Sequence, residues 1–291
     1  MSKKTILFII NPISGGSDKN KFEKFARQYL DDTIFSPEFV FTEKVNHAEK
    51  LAQKGLIDKF DYIIAVGGDG TINEVAKVLI GTNTPLGIIP KGSGNGLARA
   101  LNIPLDQKEA IAILNRLTIQ EIDAGYINGL PFFNMAGMGF DALISKRFVK
   151  KDLRGPVGYM QTVLNEISTY KPLDYEIIID GSIYKRNAFM ISIANSPQYG
   201  NEAYISPNAS VEDGLLDVCI VKPFHMLYLP KMIYHLFNKT VDKSKYVEII
   251  LGRDIKIKRS SMEGIHVDGE PVVLDKEIEI TVAPKSLKII C

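Results

Sequence analysis

AVGGDGTINE, residues 65–74, sets three glycines around one aspartate directly after the apolar run DYIIAV (61–66). Beyond it Ile72, Val75, Ala76 and Leu79 recur at i, i+3, i+4 and i+7, the apolar stripe of a helix. A buried strand feeding a helix through glycines is the building unit of a parallel sheet. Such a turn points backbone N–H groups outward at a positively polarised helix start, and no Cβ blocks the approach of a phosphate. The same composition also serves a plain tight turn. Alone, the segment leaves both readings open.

Two further turns of the same kind decide between them. PKGSGNGLARAL (90–101) follows the apolar run LGII and opens another helix, with Ser93 and Asn95 presented at the turn. The first apolar run, TILFIINP (5–12), ends in NPISGG (11–16). Between these, KNKFEKFARQYL (19–30) and residues 46–57 read as helices, EFVFT (38–42) as a strand, and EAIAILNRL (109–117) as a last helical pattern. Three of four strands in one parallel sheet therefore end in polar, glycine-containing turns, at the edge where α/β sheets bind ligands. A shared phosphate-rich ligand explains all three. Neither GxGxxG nor GxxxxGK[ST] occurs, so the pattern is not the dinucleotide fingerprint and not a P-loop.

Past Asp123 the period changes to that of strands: FFNMAGM (132–138), DYEIIID (174–180), NAFMISIAN (187–195), GLLDVCIV (214–221), KYVEIIL (245–251), DIKIKR (254–259), GIHV (264–267), PVVL (271–274) and EIEITV (277–282). Helical patterns interrupt near 156–169 and near 225–237, the latter broken by Pro230. The expected fold is an α/β domain with a parallel sheet over 1–125 and a β-rich, sandwich-like domain over 126–291. The last few residues have room to return to the first domain. The formal charge of +1 on 291 residues gives no field for a polyanion, which argues against nucleic acid. Two distant cysteines, Cys219 and Cys291, form no disulfide framework and no metal constellation, as expected of a cytoplasmic protein. MSKKTILFII is too soon stopped by Asn11-Pro12 to be a signal peptide, and no run reaches the roughly 18 apolar residues of a membrane span.

NPISGG, GGDGTINEV and PKGSGNGLAR, followed in order by FFNMAGMGFDA (132–142), SVEDGLLDV (210–218) and HVDGEP (266–271), resemble the diacylglycerol kinase and sphingosine kinase superfamily. Its first domain is similar to those of NAD kinases and phosphofructokinases. The resemblance covers nearly the whole chain. It implies an ATP-dependent kinase that phosphorylates a lipid hydroxyl in the cleft between the domains. By position, Asn11, Pro12, Ser14, Gly15, Thr42, Gly67, Gly68, Asp69, Gly70, Thr71, Asn73, Glu74, Ser93, Gly94 and Asn95 would line the nucleotide. Ser210, Asp213 and Leu215 match a structural Mg2+ site, with main-chain oxygens contributing. Asp268 matches the proton acceptor, Glu270 lies in the magnesium-linked network beside it, and Asp69 is the expected partner of the phosphate-bound ion.

One departure bears on the substrate. Many bacterial members read G-T-x-N-D at the third turn; here GSGNG places Gly96 where that aspartate would be. Diacylglycerol and a sphingosine-type long-chain base both stay open as acceptors, as do an NAD kinase and a nucleotide or lipid sensor without catalysis. Several features also have plain readings: Asp268-Gly269 and Asp213-Gly214 as turns, Asp141 as a brace, and His266 as a structural histidine without a partner. His47 reads as a first-turn helix residue. KRFVKKDLRG (146–155) concentrates five basic residues with one acid. It and FHMLYLPKMIYHLF (224–237) are the expected contacts with the inner face of a membrane, each also readable as ordinary surface or core. A homodimer is compatible with all of this.

Overall fold

In the computed structural model, which describes residues 3–14, 19–150, 166–167, 169–260, 262 and 264–291, KTILFII forms β1 (Lys4–Ile10), whose last five residues are buried. The chain divides into two compact units, Met1–Ile122 with Lys285–Cys291, and Asp123–Pro284. In the first, β1 is followed by α1 (Lys19–Tyr29), β2 (Phe35–Phe41), α2 (His47–Ile57), β3 (Tyr62–Gly67), α3 (Asp69–Leu79), β4 (Leu86–Pro90), α4 (Gly96–Ala100) and α5 (Gln107–Arg116). The strands run parallel in the order β2-β1-β3-β4. β1, β3 and β4 are apolar almost throughout because helices cover both faces of such a sheet. The stripe Ile72, Val75, Ala76 and Leu79 is the buried face of α3, as the period requires.

This strand order has one reversal. From β1 the chain builds outward to β2, then returns to the other side of β1 to lay down β3 and β4. The carboxyl ends of β1 and β3 therefore part around a crevice, the place where open α/β sheets bind ligands.

The second unit is a two-sheet structure, as the strand texture predicts. β5 (Ile119–Ile127), β6 (Leu130–Phe132), β7 (Met135–Gly139) and α6 (Phe140–Lys150) come first. β8 (Leu173–Ile179), β9 (Ser182–Ala188), β10 (Met190–Ala194), β11 (Leu216–Val221), α7 (Leu229–Phe237), β12 (Val247–Gly252), β13 (Asp254–Arg259), β14 (Gly264–Val267), β15 (Glu270–Val273) and β16 (Glu277–Ile290) follow. β9, β8, β13 and the start of β16 lie in one sheet, antiparallel; the other runs β12-β11-β10-β7-β14-β15. Ile177, Ile255 and Ile278 from the first sheet and Ile193, Val218 and Ile265 from the second close one apolar core between them. On the outer face of the second sheet, Phe140 and Ile144 of α6 and Leu229 and Met232 of α7 pack with Met135, Cys219 and Val221.

Four details differ from the sequence expectation. FFNMAGM is not one strand: it breaks at Phe133-Asn134, whose N–H groups leave the ladder for a side chain described below. NAFMISIAN is also two strands, because the chain turns a corner at Phe189 and passes from one sheet to the other. β16 extends far beyond EIEITV, to Ile290; its end is the stretch that the sequence left room to return to the first domain, and there Ile289 pairs in parallel with Leu86. Pro230 does not break a helix; it lies in the first turn of α7, where a missing N–H costs nothing. Gly15, residues 151–155 of the basic stretch and nearly all of the helix expected at 156–169 lie outside the described residues.

Candidate functional site

In the first unit the three glycine-rich turns are tied into one edge. Asn11, just past β1, donates from Nδ2 to Thr71 Oγ1 in α3 (3.2 Å), which bridges the crevice between the first and second turns. Its Oδ1 accepts the N–H of Ile13 (3.0 Å), and Ser14 closes the same turn onto the Asn11 carbonyl. Thr42, buried at the end of β2, donates its N–H to Ile10 O (2.9 Å).

Asp69 joins the second turn to the third. As the first residue of α3 it sits at the helix's positive end, and its two carboxylate oxygens accept the N–H groups of Asn95 (2.9 Å) and Gly96 (2.7 Å). Asn95, left-handed at φ 51°, folds back so that its side chain exchanges two hydrogen bonds with Gly92, both 2.8 Å. The glycines are required by proximity. A Cβ on Gly92 would lie 2.6 Å from Gly68 Cα, backbone against backbone, and one on Gly94 would lie 2.9 Å from Asp69 Oδ2. Lys91, next to Gly92, brings a cation to this edge over the Phe22 ring (5.3 Å), and burial lowers its pKa.

The second unit builds its site on the β14–β15 hairpin. Val267 pairs with Glu270, so Asp268-Gly269 is a two-residue loop, and φ of 48° and 86° makes it the mirror-image turn that Asp-Gly favours. That turn carries the Asp268 carboxylate to the break between β6 and β7. There it accepts three N–H groups, from Phe133 (2.8 Å), Asn134 (2.9 Å) and Met135 (3.0 Å). Burial raises the Asp268 pKa; the three N–H donors and His266 pull the other way, and burial prevails. A carboxylate with raised basicity suits a proton acceptor.

A hydrogen-bonded chain links this turn to the segment SVEDGLL. Asn195, buried between them, donates to Phe133 O (2.8 Å) and Asp123 O (3.1 Å). The Asp123 carboxylate accepts Gly214 N–H (2.7 Å), and Asp123 N–H donates to Val211 O (2.7 Å). Within the segment, Asp213 Oδ1 accepts Leu215 N–H (3.0 Å) and Ser210 Oγ accepts Glu212 N–H (3.2 Å). Asp213 also raises the pKa of buried Asp217, after burial itself, so negative charge converges here. Among the described residues no three His, Cys, Asp or Glu side chains cluster as metal ligands.

His266 has a partner after all, contrary to its reading as a lone structural histidine. Ser192, Gly137 and His266 stand opposite one another on β10, β7 and β14, in one row across the outer face of the second sheet. Asp141, in the first turn of α6, comes down over the glycine. Its Oδ2 lies 2.9 Å from His266 Nε2 and accepts the hydroxyls of Ser192 and Tyr199, both at 3.0 Å. A Cβ on Gly137 would fall 2.3 Å from both the aspartate oxygen and the histidine nitrogen, so only glycine permits the pair. On the other side of the ring, Nδ1 lies 3.3 Å from the Gly269 nitrogen, in the Asp268 turn, and accepts its N–H when the ring is neutral. Burial raises Asp141, yet His266, Ser192 and Tyr199 outweigh it and hold the carboxyl below its ordinary value. Burial lowers His266, and the Asp141 charge more than reverses this.

The structure thus brings Asn11, Gly68, Asp69, Thr71, Gly94 and Asn95 together, and sets Pro12, Gly67, Gly70 and Asn73 within or beside the same turns. Ser93 is exposed at the tip of the third turn. Glu74 turns elsewhere: its carboxylate accepts the N–H groups of Asn46 (3.0 Å) and Ala48 (2.9 Å), and so caps α2, whose own Asn46 makes no side-chain cap. Glu270 stands exposed at the start of β15. Lys91, Asp123 and Asn195 were not singled out from the sequence. Asp123 and Asn195 lie about 70 residues apart with no local motif, so only the fold reveals them.

The family model "Diacylglycerol kinase catalytic domain" matches residues 5–127, and "YegS C-terminal NAD kinase beta sandwich-like domain" matches residues 134–291. The diacylglycerol kinase of Mycobacterium tuberculosis is 30% identical over 97% of this chain and 93% of its own length. That of Bacillus subtilis is 26% identical over 92% and 90%. Among solved structures, a diacylglycerol kinase from Bacillus anthracis superposes with a TM-score of 0.75 at 21% identity, covering 99% of this chain and 96% of that one, a likeness of fold. Matches along both units, with these relatives, show that the chain belongs to the diacylglycerol kinase and YegS-like family of lipid kinases.

Proposed function

We propose that the chain transfers the γ-phosphoryl group of ATP to the hydroxyl of diacylglycerol, with Asp268 as proton acceptor. The observation that carries this reading is the tied edge of three turns, with Asn11–Thr71 across the switch point and Asp69 clasping Asn95 and Gly96. N–H groups of the glycine turns and the Lys91 ammonium receive the phosphates there. The hydroxyl proton passes to a carboxylate oxygen of Asp268, which the Phe133–Met135 N–H groups hold in place. In a loose transition state that transfer comes late, so a carboxylate is base enough.

Ser210, Asp213 and Leu215 offer a hydroxyl, a carboxylate and a main-chain carbonyl, all hard oxygen donors of the kind magnesium takes. They would hold the ion, whose charge would favour the ionised acids of the linked segment. The second reading is a long-chain-base kinase. It rests on Gly96, whose N–H serves Asp69 where a carboxylate is otherwise expected.

Calorimetric titration with ATP tests the nucleotide site. Gly92→Ala, forced against Gly68, introduces about 1–3 kcal/mol of strain. ATP affinity is expected to fall by roughly ten-fold or more, with the melting transition of the second unit retained. Unchanged affinity would place the nucleotide elsewhere.

A further inference from the structure

α7 is apolar on two opposite faces. Leu229 and Met232 are buried against the outer face of the second sheet. On the other side, Leu227 in the 3-10 turn that precedes it, then Pro230, Tyr234 and Phe237, recur at intervals of three, four and three residues. That spacing places all four on one stripe of a helical surface. The stripe faces outward: Leu227 is 86% exposed, Tyr234 60% and Phe237 48%, with Met226 beside them at 42%. The outer face of a helix on a sheet is ordinarily polar, and clustered exposed apolar side chains mark an interaction surface.

The charges around the stripe say which partner fits. Lys231 lies within the exposed arc, three residues from Tyr234, and Lys239, Lys243 and Lys245 follow in the next turns; Asp242 is the one acid from 222 to 247. Three of these cations rest on aromatic rings: Lys231 on Tyr228 (5.6 Å), Lys239 on Tyr204 (4.5 Å) and Lys245 on Tyr246 (5.1 Å). Apolar side chains ringed by tyrosines and lysines form the composition of a segment lying in a membrane interface, where stems are buried and ammonium groups meet headgroups. Among the described residues no helix is long and apolar enough to cross a membrane.

We infer that α7 and the turn before it dock the protein on an anionic lipid bilayer, with Leu227, Tyr234 and Phe237 inserted and Lys231 and Lys239 on the headgroups. This rests on the lipid-kinase reading and assigns its membrane contact to one surface.

The test uses the full chain and vesicles of phosphatidylcholine with or without phosphatidylglycerol, read by co-sedimentation. Wild type is expected to bind the anionic vesicles and to release with salt. Leu227→Ser combined with Phe237→Ser is expected to lower partitioning by about ten-fold or more. Lys231→Gln and Lys239→Gln are each expected to lower it by about five-fold, on anionic vesicles only. All four positions are exposed, so melting temperature stays unchanged. Turnover of a short-chain, monomeric diacylglycerol also stays unchanged, and it reads the kinase activity separately from docking. Wild-type binding by the variants, or no vesicle binding by wild type, overturns the inference. So does a concentration-dependent dimer that the apolar variant breaks without losing vesicle binding, since the stripe would then join two copies of the chain.

Discussion

Replacing Asp268 by asparagine is expected to reduce phosphoryl transfer by about 10³-fold, within the range of a general base, while ATP affinity is retained. The side chain keeps its shape but loses the lone pairs that take the hydroxyl proton. It also meets its surroundings differently. Asp268 presents acceptors to three N–H groups, and an asparagine amide would turn an NH2 toward one of them. Facing donor against donor costs about 1–3 kcal/mol, so a modest fall in melting temperature accompanies the lost activity. ATP titration and thermal melting on the same preparation separate the two effects. Turnover within ten-fold of wild type would remove Asp268 from the chemistry.

The second large effect concerns Asp141. Asp141→Asn breaks a buried ion pair and is expected to cost about 3–5 kcal/mol, roughly ten degrees of melting temperature. Its signature is the pH dependence. In the fold Asp141 titrates below its ordinary 3.8, so its stabilisation is in place above that value and is lost only as pH falls through the lower folded one. His266 titrates above its ordinary 6.5, so its share is complete below 6.5 and fades as pH rises through the raised value. The pair stabilises most between those two ordinary values. Wild type is therefore expected to lose melting temperature as pH rises above 6.5 through the raised value of His266, and Asp141→Asn to lose this dependence. An unchanged slope in the variant would mean that the pair does not titrate in this way.

The first unit was readable from the chain because its signals are local. Each strand ends in a turn within a few residues, and glycine shows where backbones must approach. The pattern did not show why GGDG and GSGN belong together. That is the carboxylate of Asp69, which reaches 26 residues forward to Asn95. In the second unit strands could be recognised by alternation, yet both corners were hidden. FFNMAGM and NAFMISIAN look continuous because each half is apolar; what divides them is pairing with distant strands. His266 illustrates the same limit. Its partner is 125 residues away on a helix, and the residue that makes room for the pair is a glycine in an unremarkable apolar run. Glu74 was legible as a polar residue of the right turn, but not as the cap of the preceding helix.

The most direct measurement is one incubation with γ-labelled ATP, magnesium, and diacylglycerol, sphingosine and NAD together, with the products identified by mass spectrometry. Label on the diacylglycerol hydroxyl, abolished by Asp268→Asn, is the expected result. Label on NAD alone, or none on any lipid alcohol while ATP still binds, would contradict it.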